Sequence, residues 1–300
     1  MIRVIPMRLT FEPERAVSLP EYPGALWRGA LGARLRRDAC ITRAPTCEGC
    51  TARHRCAYGQ VFEPVPSARA TGLAAGFRDL PRPYVVCPLH GGGTYGAGRH
   101  LTLALVLMEG AFGYLHAMLR AAQRLSLHDV RMRVVDRRVI RPDQAAAPSC
   151  DPVRPEGYLI EPPLAPRAAR VVLEHPVRLR RDNRTLDVGA FRLDAFCSAI
   201  LRRVSSLREA TGKSMQADFA GLLDHVRSGL RLHGASLTWQ EAERYSARQG
   251  QRVPQGGLVG TFEVHGDLAP IWPWLWTGQW THVGKGAVMG LGRYRVEPLK

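Results

Sequence analysis

Trp280-Thr281-His282-Val283-Gly284-Lys285-Gly286-Ala287-Val288-Met289-Gly290-Leu291-Gly292-Arg293-Tyr294 sets the reading of the whole chain. Glycines at 284, 286, 290 and 292 permit left-handed backbone and close approach of the main chain to a ligand. Successive exposed amides can cradle a phosphate, and Lys285 and Arg293 add positive charge to such a nest. The G-x-x-x-x-G-K-[ST] order of a P-loop is absent. No parallel strand feeds the segment into a βαβ helix, so a dinucleotide fingerprint fails as well. A glycine-kinked loop and edge strand without a ligand is the plain alternative.

Outward from this segment, a strand is expected at 291–297 and a short aromatic helix near 268–276. Strands are expected near 258–264 and 236–245, and a helix at about 215–230. Leu193, Phe196, Cys197, Ile200, Leu201, Val204 and Leu207 give the clearest amphipathic helix of the chain. Val177 and Leu179, alternating with Arg178 and Arg180, open this half as a strand. The other half repeats the order without the extra helix. Ile5, Met7, Leu9 and Phe11 alternate on a strand at 2–11, and Trp27, Ala30, Leu31, Arg34 and Leu35 recur at helical spacing after Pro23. Strands at 83–87 and 99–107 flank Gly91-Gly92-Gly93, a helix carries Phe112, Leu115, Leu119 and Ala122, and a strand covers 130–140. Two β-α-β-β-α-β units predict an α+β chain of tandem ferredoxin-like (RRM-like) domains, with a cysteine-rich insertion in the first. The domains are expected at 1–141 and 171–300, joined by a proline-rich linker at 142–170.

With 300 residues and 45% apolar content, the chain can fill two cores and is not disordered. Its 42 basic residues outnumber 26 acidic ones, for a formal charge of +16, which points first to nucleic acid as partner. Both halves are basic, with 18 basic and 12 acidic residues in 171–300 and 24 and 14 before it. Only Lys213, Lys285 and Lys300 are lysines. Neither a secretory core nor a membrane-length apolar run is present, so the chain reads as cytoplasmic with no membrane partner.

Cys40, Cys47, Cys50 and Cys56 stand as C-x6-C-x2-C-x5-C in the loop 40–56. Four soft ligands in a polar segment suit a closed, structural zinc site, and the same set permits an iron–sulfur cluster or unligated thiols. His54 can replace one cysteine. An odd total of seven cysteines in a reducing compartment argues against a disulfide framework. Trp272, Trp274, Trp276 and Trp280, with Ile271 and Leu275 among them, read as packing rather than as base-stacking platforms.

The run Arg244-Tyr245-Ser246-Ala247-Arg248-Gln249, then Gly256-Gly257-Leu258-Val259-Gly260, then His282 to Tyr294, resembles the CRISPR precursor-RNA processing endoribonucleases, a repeat-associated family with paired ferredoxin-like RNA-binding domains. Trp27-Arg28-Gly29-Ala30-Leu31-Gly32, the cysteine cluster ending Cys56-Ala57-Tyr58, and Phe62-Glu63-Pro64 are similar to the amino-terminal half of one branch of it. The resemblance implies cleavage within the CRISPR repeat with no metal or other cofactor for catalysis, leaving a 2′,3′-cyclic phosphate and a 5′-hydroxyl. It also implies CRISPR repeat RNA and mature crRNA as partners, with other subunits of an interference complex beside them. A non-catalytic crRNA-binding subunit of such a complex is the alternative, and an unrelated nucleic-acid-binding zinc protein a third reading.

Such chemistry needs a base for the 2′-hydroxyl, an acid for the departing 5′-oxygen and cations against phosphorane charge. His282 is the expected proton-transfer group, being a ring that titrates near neutrality beside the glycine-rich loop. No histidine lies between Met1 and Arg53, so the placement of a catalytic histidine near the first helix, found in some members, is not available here. Lys285 is expected as an electrostatic catalyst, Tyr245 to orient or protonate an oxygen and Arg248 to clamp a phosphate. Arg28, Arg34, Arg36 and Arg37 on the first helix are expected on the RNA, together with Gly284, Gly286, Gly290, Gly292 and Arg293.

Overall fold

Alternation at the amino terminus produces β1 (Arg3–Pro13), in which Met7, Leu9 and Phe11 are buried and Arg8, Thr10 and Glu12 are not. The computed structural model describes residues 2–66, 80–140, 153–182, 184–213, 215–246 and 251–299. These form two units, one of Ile2–Leu159 with Ser206–Met215, the other of Ile160–Ser205 with Gln216–Lys300.

In the first unit β1 is followed by β2 (Val17–Leu19), α1 (Gly24–Ala39), α2 (Ala57–Phe62), β3 (Tyr84–Pro88), β4 (Gly93–Tyr95), β5 (Leu101–Met108), α3 (Leu115–Gln123), β6 (Ser126–Leu127), β7 (Val130–Val139) and β8 (Tyr158–Leu159). The main sheet runs β3-β5-β1-β7-β6 with antiparallel pairing, and β8 pairs the start of β1. Helix α1 buries Trp27, Leu31 and Leu35 at four-residue spacing, one stripe of the kind an amphipathic helix turns to a sheet. Gly32 lets the ring of Phe62 in close, since a Cβ there would stand 2.6 Å from it. Arg36 and Arg37 fall in the last turn, where cations favour the helix dipole.

The second unit contains β9 (Ala168–Val177), the small hairpin β10 (Arg180–Arg181) and β11 (Arg184–Thr185), α4 (Leu193–Glu209) as far as Ser205, α5 (Phe219–Gly229), β12 (Leu230–Gln240), a second hairpin of β13 (Glu243–Ser246) and β14 (Gln251–Pro254), β15 (Gly257–Gly266), α6 (Trp272–Thr281) and β16 (Tyr294–Leu299). Its sheet order is β12-β15-β9-β16. In both units the second, third, first and fourth strands of the β-α-β-β-α-β repeat lie side by side in that order, the ferredoxin-like arrangement expected twice over. Asp218 caps α5 by accepting from the Gly221 amide at 2.9 Å.

Several boundaries differ from the sequence reading. The strand expected at 177–180 is the end of β9, which starts at Ala168, and Arg180 belongs to the separate hairpin. The strand expected at 236–245 lies at Leu230–Gln240, displaced because most of its residues are exposed and give no apolar alternation. The last strand begins at Tyr294, three residues late, because the glycine-rich segment stays a loop through Arg293. Of the expected linker, residues 142–152 lie outside the described residues. Among the described residues no helix is long and apolar enough to cross a membrane.

The second unit's core centres on Phe196, which is fully buried and meets Phe262 at 5.5 Å, Tyr294 at 5.2 Å and Phe191 at 6.4 Å between ring centroids. Phe196→Ala leaves a ring-sized hole there and is expected to cost about 3–5 kcal/mol, read as a lower urea midpoint. Arg34→Ala, which removes only an exposed i,i+4 pair with Asp38, is expected to cost under about 1 kcal/mol in the same assay.

Candidate nucleic-acid interface

The glycine-rich segment is a loop folded onto the exit of β9. Gly292 donates to the Pro176 carbonyl at 2.9 Å, Lys285 to the Arg178 carbonyl at 3.0 Å, and Val283 to the Gly292 carbonyl at 3.0 Å. Gly292 has φ +67°, and a Cβ there would run into the Val283 carbonyl. Gly284 has φ +81°, and a Cβ would lie 2.5 Å from the Arg178 carbonyl. Both positions therefore require glycine for conformation and for space. The result is a tight backbone platform with the Lys285 side chain exposed at its tip. Arg293 instead turns to Glu174, with Nε 2.6 Å from the carboxylate, and Arg295 shares the same partner.

His282 lies inside this loop, 4% exposed, and itself takes a left-handed backbone at φ 57°. Its Nδ1 is 3.1 Å from the Leu291 carbonyl, and His175 faces the adjacent Gly290 carbonyl at 2.9 Å. Burial foremost, then the neighbouring His175 and Arg293, hold the His282 pKa well below the ordinary imidazole value. His175 is lowered as well, again mainly by burial. Both rings are neutral at pH 7, so each Nδ1–H donates to its carbonyl and braces the loop. His175 escaped the sequence reading because nothing in a lone histidine on a strand announces a carbonyl 115 residues away.

Arg178 is a second member that the sequence placed only as an alternating strand residue. Its guanidinium donates to the Pro254 carbonyl at 2.6 Å, which ties the β13–β14 hairpin to the residue beneath Lys285. Tyr245 lies on β13 of that hairpin, paired through its backbone with Arg252. Arg248 lies outside the described residues.

In the amino-terminal unit, α1 and the cysteine-rich loop border a cleft of about 820 Å³ into which Arg28, Arg36, Arg37 and Arg43 converge with Tyr58 and Phe62. Arg28 donates to the Tyr84 hydroxyl at 2.9 Å and stands 5.4 Å over the Phe62 ring. Tyr84 is buried, its hydroxyl pushed up to about 12 mainly by that burial, so it remains a neutral partner. Arg36 covers Tyr58 at 5.5 Å and donates to the Ala44 carbonyl. Tyr58 and Phe62 stack on one another at 5.5 Å, interplanar 7°. Guanidinium planes over aromatic faces, with their charge turned to neutral groups, make a surface suited to phosphates and bases. Of the four helix arginines expected on RNA, three line this cleft; Arg34 is bidentate to Asp38 at 2.7 and 3.1 Å. Arg43, Tyr58 and Phe62 were not singled out for binding, although the four-residue spacing of Tyr58 and Phe62 on one short helix was a readable signal.

All four cysteines of the insertion line one small cavity. Among the described residues, however, no three His, Cys, Asp or Glu side chains stand together closely enough to hold a metal as they are placed. The tryptophans pack as expected at Trp272 and Trp274, which are buried, while Trp276 and Trp280 are half-buried.

Residues 171–294 match the family of the CRISPR-associated endoribonuclease Cas6, and 2–141 match a family model described as an N-terminal domain. The match makes the carboxyl-terminal part similar to that family, and the class of activity it supports is endonuclease action on CRISPR RNA. Solved structures share the fold over nearly the whole chain. A Cas6 product complex has a TM-score of 0.59 at 16% identity, covering 99% of this chain and 100% of the other. Thermus thermophilus Cas6 has 0.57 at 14%, covering 99% of each. A chain of a partial Cas6-RT-Cas1–Cas2 complex has 0.57 at 12%, covering 99% of this chain and 46% of that one. No curated protein sequence matches.

The lowered pKa of His282 and His175 predicts a pH dependence of stability. The unfolded chain binds protons on these rings near pH 6.5 and the folded one only lower, so stability is full above about pH 6.5 and falls as the pH drops below it. Thermal melts from pH 8 to 5 are expected to show that fall, and His282→Ala to flatten it while lowering stability at pH 8 by about 1–3 kcal/mol through the unpaired Leu291 carbonyl.

Proposed function

We propose that this chain, an endoribonuclease of the Cas6 type, cuts CRISPR precursor RNA within the repeat without a metal ion in the chemistry and leaves a 2′,3′-cyclic phosphate and a 5′-hydroxyl. The observation that carries the reading is the Cas6-matched glycine loop, which is locked to β9 and holds one of three lysines of the chain out at its tip. In the reaction the 2′-oxygen forms a bond to the adjacent phosphorus while the P–O5′ bond breaks. The 2′-proton leaves as the nucleophile forms, and the 5′-oxygen takes up a proton. Charge builds on the phosphorane oxygens, and the Lys285 ammonium answers it.

His282 acts here as a positioning residue. Its neutral, buried ring holds the Leu291 carbonyl and so the shape of the loop, which fits its burial better than direct proton transfer does. Tyr245, on the hairpin that Arg178 ties to the loop, serves as an orienting hydroxyl, and Arg248 as a phosphate clamp. Arg28, Arg36 and Arg37, with Arg43, hold RNA phosphates, and the stacked Tyr58 and Phe62 give that surface a face for bases. Mature crRNA remains a partner after cleavage, a reading supported by the existence of a product complex for a protein of the same fold, and other Cas proteins are the expected companions.

Single-turnover cleavage of a labelled CRISPR-repeat RNA in EDTA tests the proposal. Lys285→Ala is expected to slow cleavage by about 10²–10³, the usual loss for one charge-stabilising donor, and to weaken binding as well. His282→Asn can keep the left-handed backbone and is expected to stay within about tenfold of the parent. A loss of 10²–10⁴ in that variant, with an altered pH–rate profile, would instead make His282 the proton-transfer group. Binding without cleavage by the parent protein would favour a non-catalytic crRNA-binding subunit.

A further inference from the structure

We propose that Cys40, Cys47, Cys50 and Cys56 bind one zinc ion as tetrahedral thiolates, and that this zinc loop builds the wall of the arginine cleft. The link to RNA rests on the nuclease reading; the metal site does not. Three observations support it. All four cysteines, which are spread over 17 residues of chain, line the same small cavity, although as placed no three of them stand close enough to hold an ion, so ligation has to draw them together. Four soft ligands facing one small space match the closed tetrahedral shell of a single zinc ion. The central C-x-x-C pair is already wound into a turn, with Gly49 at φ +69° and the Cys50 amide on the Cys47 carbonyl at 3.4 Å.

The third observation is how little else holds this loop. In the thiol form Cys40 and Cys50 both reach the Thr42 hydroxyl, at 3.6 and 3.8 Å, and Cys56 reaches the Ala39 carbonyl at 3.8 Å. Ile41 is 85% exposed, and Cys47 is the one buried apolar residue between Cys40 and Cys56. A segment without a core of its own gains its order from a metal or from very little. Zinc ligation draws the sulfurs to about 2.3 Å from the ion, so the Thr42 contacts are exchanged for metal bonds as the thiol protons leave. Four thiolates close the coordination shell, which makes the ion structural. Arg36, Arg43 and Arg53 stand around the site and offset the negative charge of a tetrathiolate.

The same loop borders the RNA cleft. Arg43 and Ala44 line it, and the Ala44 carbonyl holds the guanidinium of Arg36. Cys40 closes α1, its amide bonded to the Arg36 carbonyl at 2.8 Å, so one proposed zinc ligand is one turn from an arginine that faces the cleft.

The test uses the full chain, purified without chelator from zinc-replete medium. Elemental analysis is expected to give about one zinc per chain, and Co2+ added to the metal-depleted protein to give the intense visible bands of tetrahedral thiolate coordination. Cys47→Ser/Cys50→Ser should lose both signals and Cys87→Ser, buried on β3, should keep them. Metal depletion should weaken binding of a cleavage-resistant, 2′-deoxy-substituted repeat RNA by about tenfold or more and leave the circular dichroism of the sheets in place. Iron with acid-labile sulfide, or wild-type protein that takes up neither zinc nor cobalt, would overturn the site. Zinc uptake with unchanged RNA affinity would overturn its role in the cleft. Stoichiometric zinc in a protein that cuts no repeat RNA would uphold the site and remove the nuclease reading.

Discussion

The main-chain hydrogen bonds that join the 282–293 loop to the exit of β9 determine what the carboxyl-terminal unit can present. Because Gly292 and Lys285 donate to Pro176 and Arg178, the loop cannot drift from the sheet. Because positions 284 and 292 admit no Cβ, the backbone comes close enough for those bonds to form. Everything else at the site follows from that closeness. His282 is sealed under the loop and His175 half-buried beside it, both with a lowered affinity for protons, and Lys285, the residue between two glycines, is left outside.

The positive charge of the chain is likewise sorted by its partners rather than by its number. On β7, Arg131, Arg133 and Arg138 pair with Glu14, Glu12 and Asp136, and Arg170 and Arg295 on the second sheet pair with Glu263 and Glu174. Exposed pairs of this kind contribute little to stability, but they locally cancel the field. Arg28 and Arg36 are instead held by a phenol, a carbonyl and two aromatic faces, which fix their direction and leave their charge standing. A polyanion meeting this surface is therefore drawn to α1 more than to the β7 ladder, although β7 carries as many arginines.

The sequence alone determined the two β-α-β-β-α-β repeats, because strand alternation in β1 and the Phe196–Val204 stripe of α4 are local signals that burial only has to confirm. It also showed that glycines at 284, 286, 290 and 292 permit a left-handed backbone and that α1 would carry a basic face, whereas the lack of room for a Cβ at 284 and 292 came from the fold. It did not determine β12, whose residues are mostly exposed and show no period, nor the start of β16, since a loop held by long-range hydrogen bonds looks in sequence like a strand with glycines. Only the tertiary structure decided which cations converge. Arg34 and Arg36 differ by two positions on one helix, yet one is spent on Asp38 and the other faces Tyr58. The fate of His282 was decided in the same way. Its ring chemistry is legible in the residue name, but its protonation depends on burial and on His175, more than a hundred residues earlier, and burial is a property of the folded chain alone.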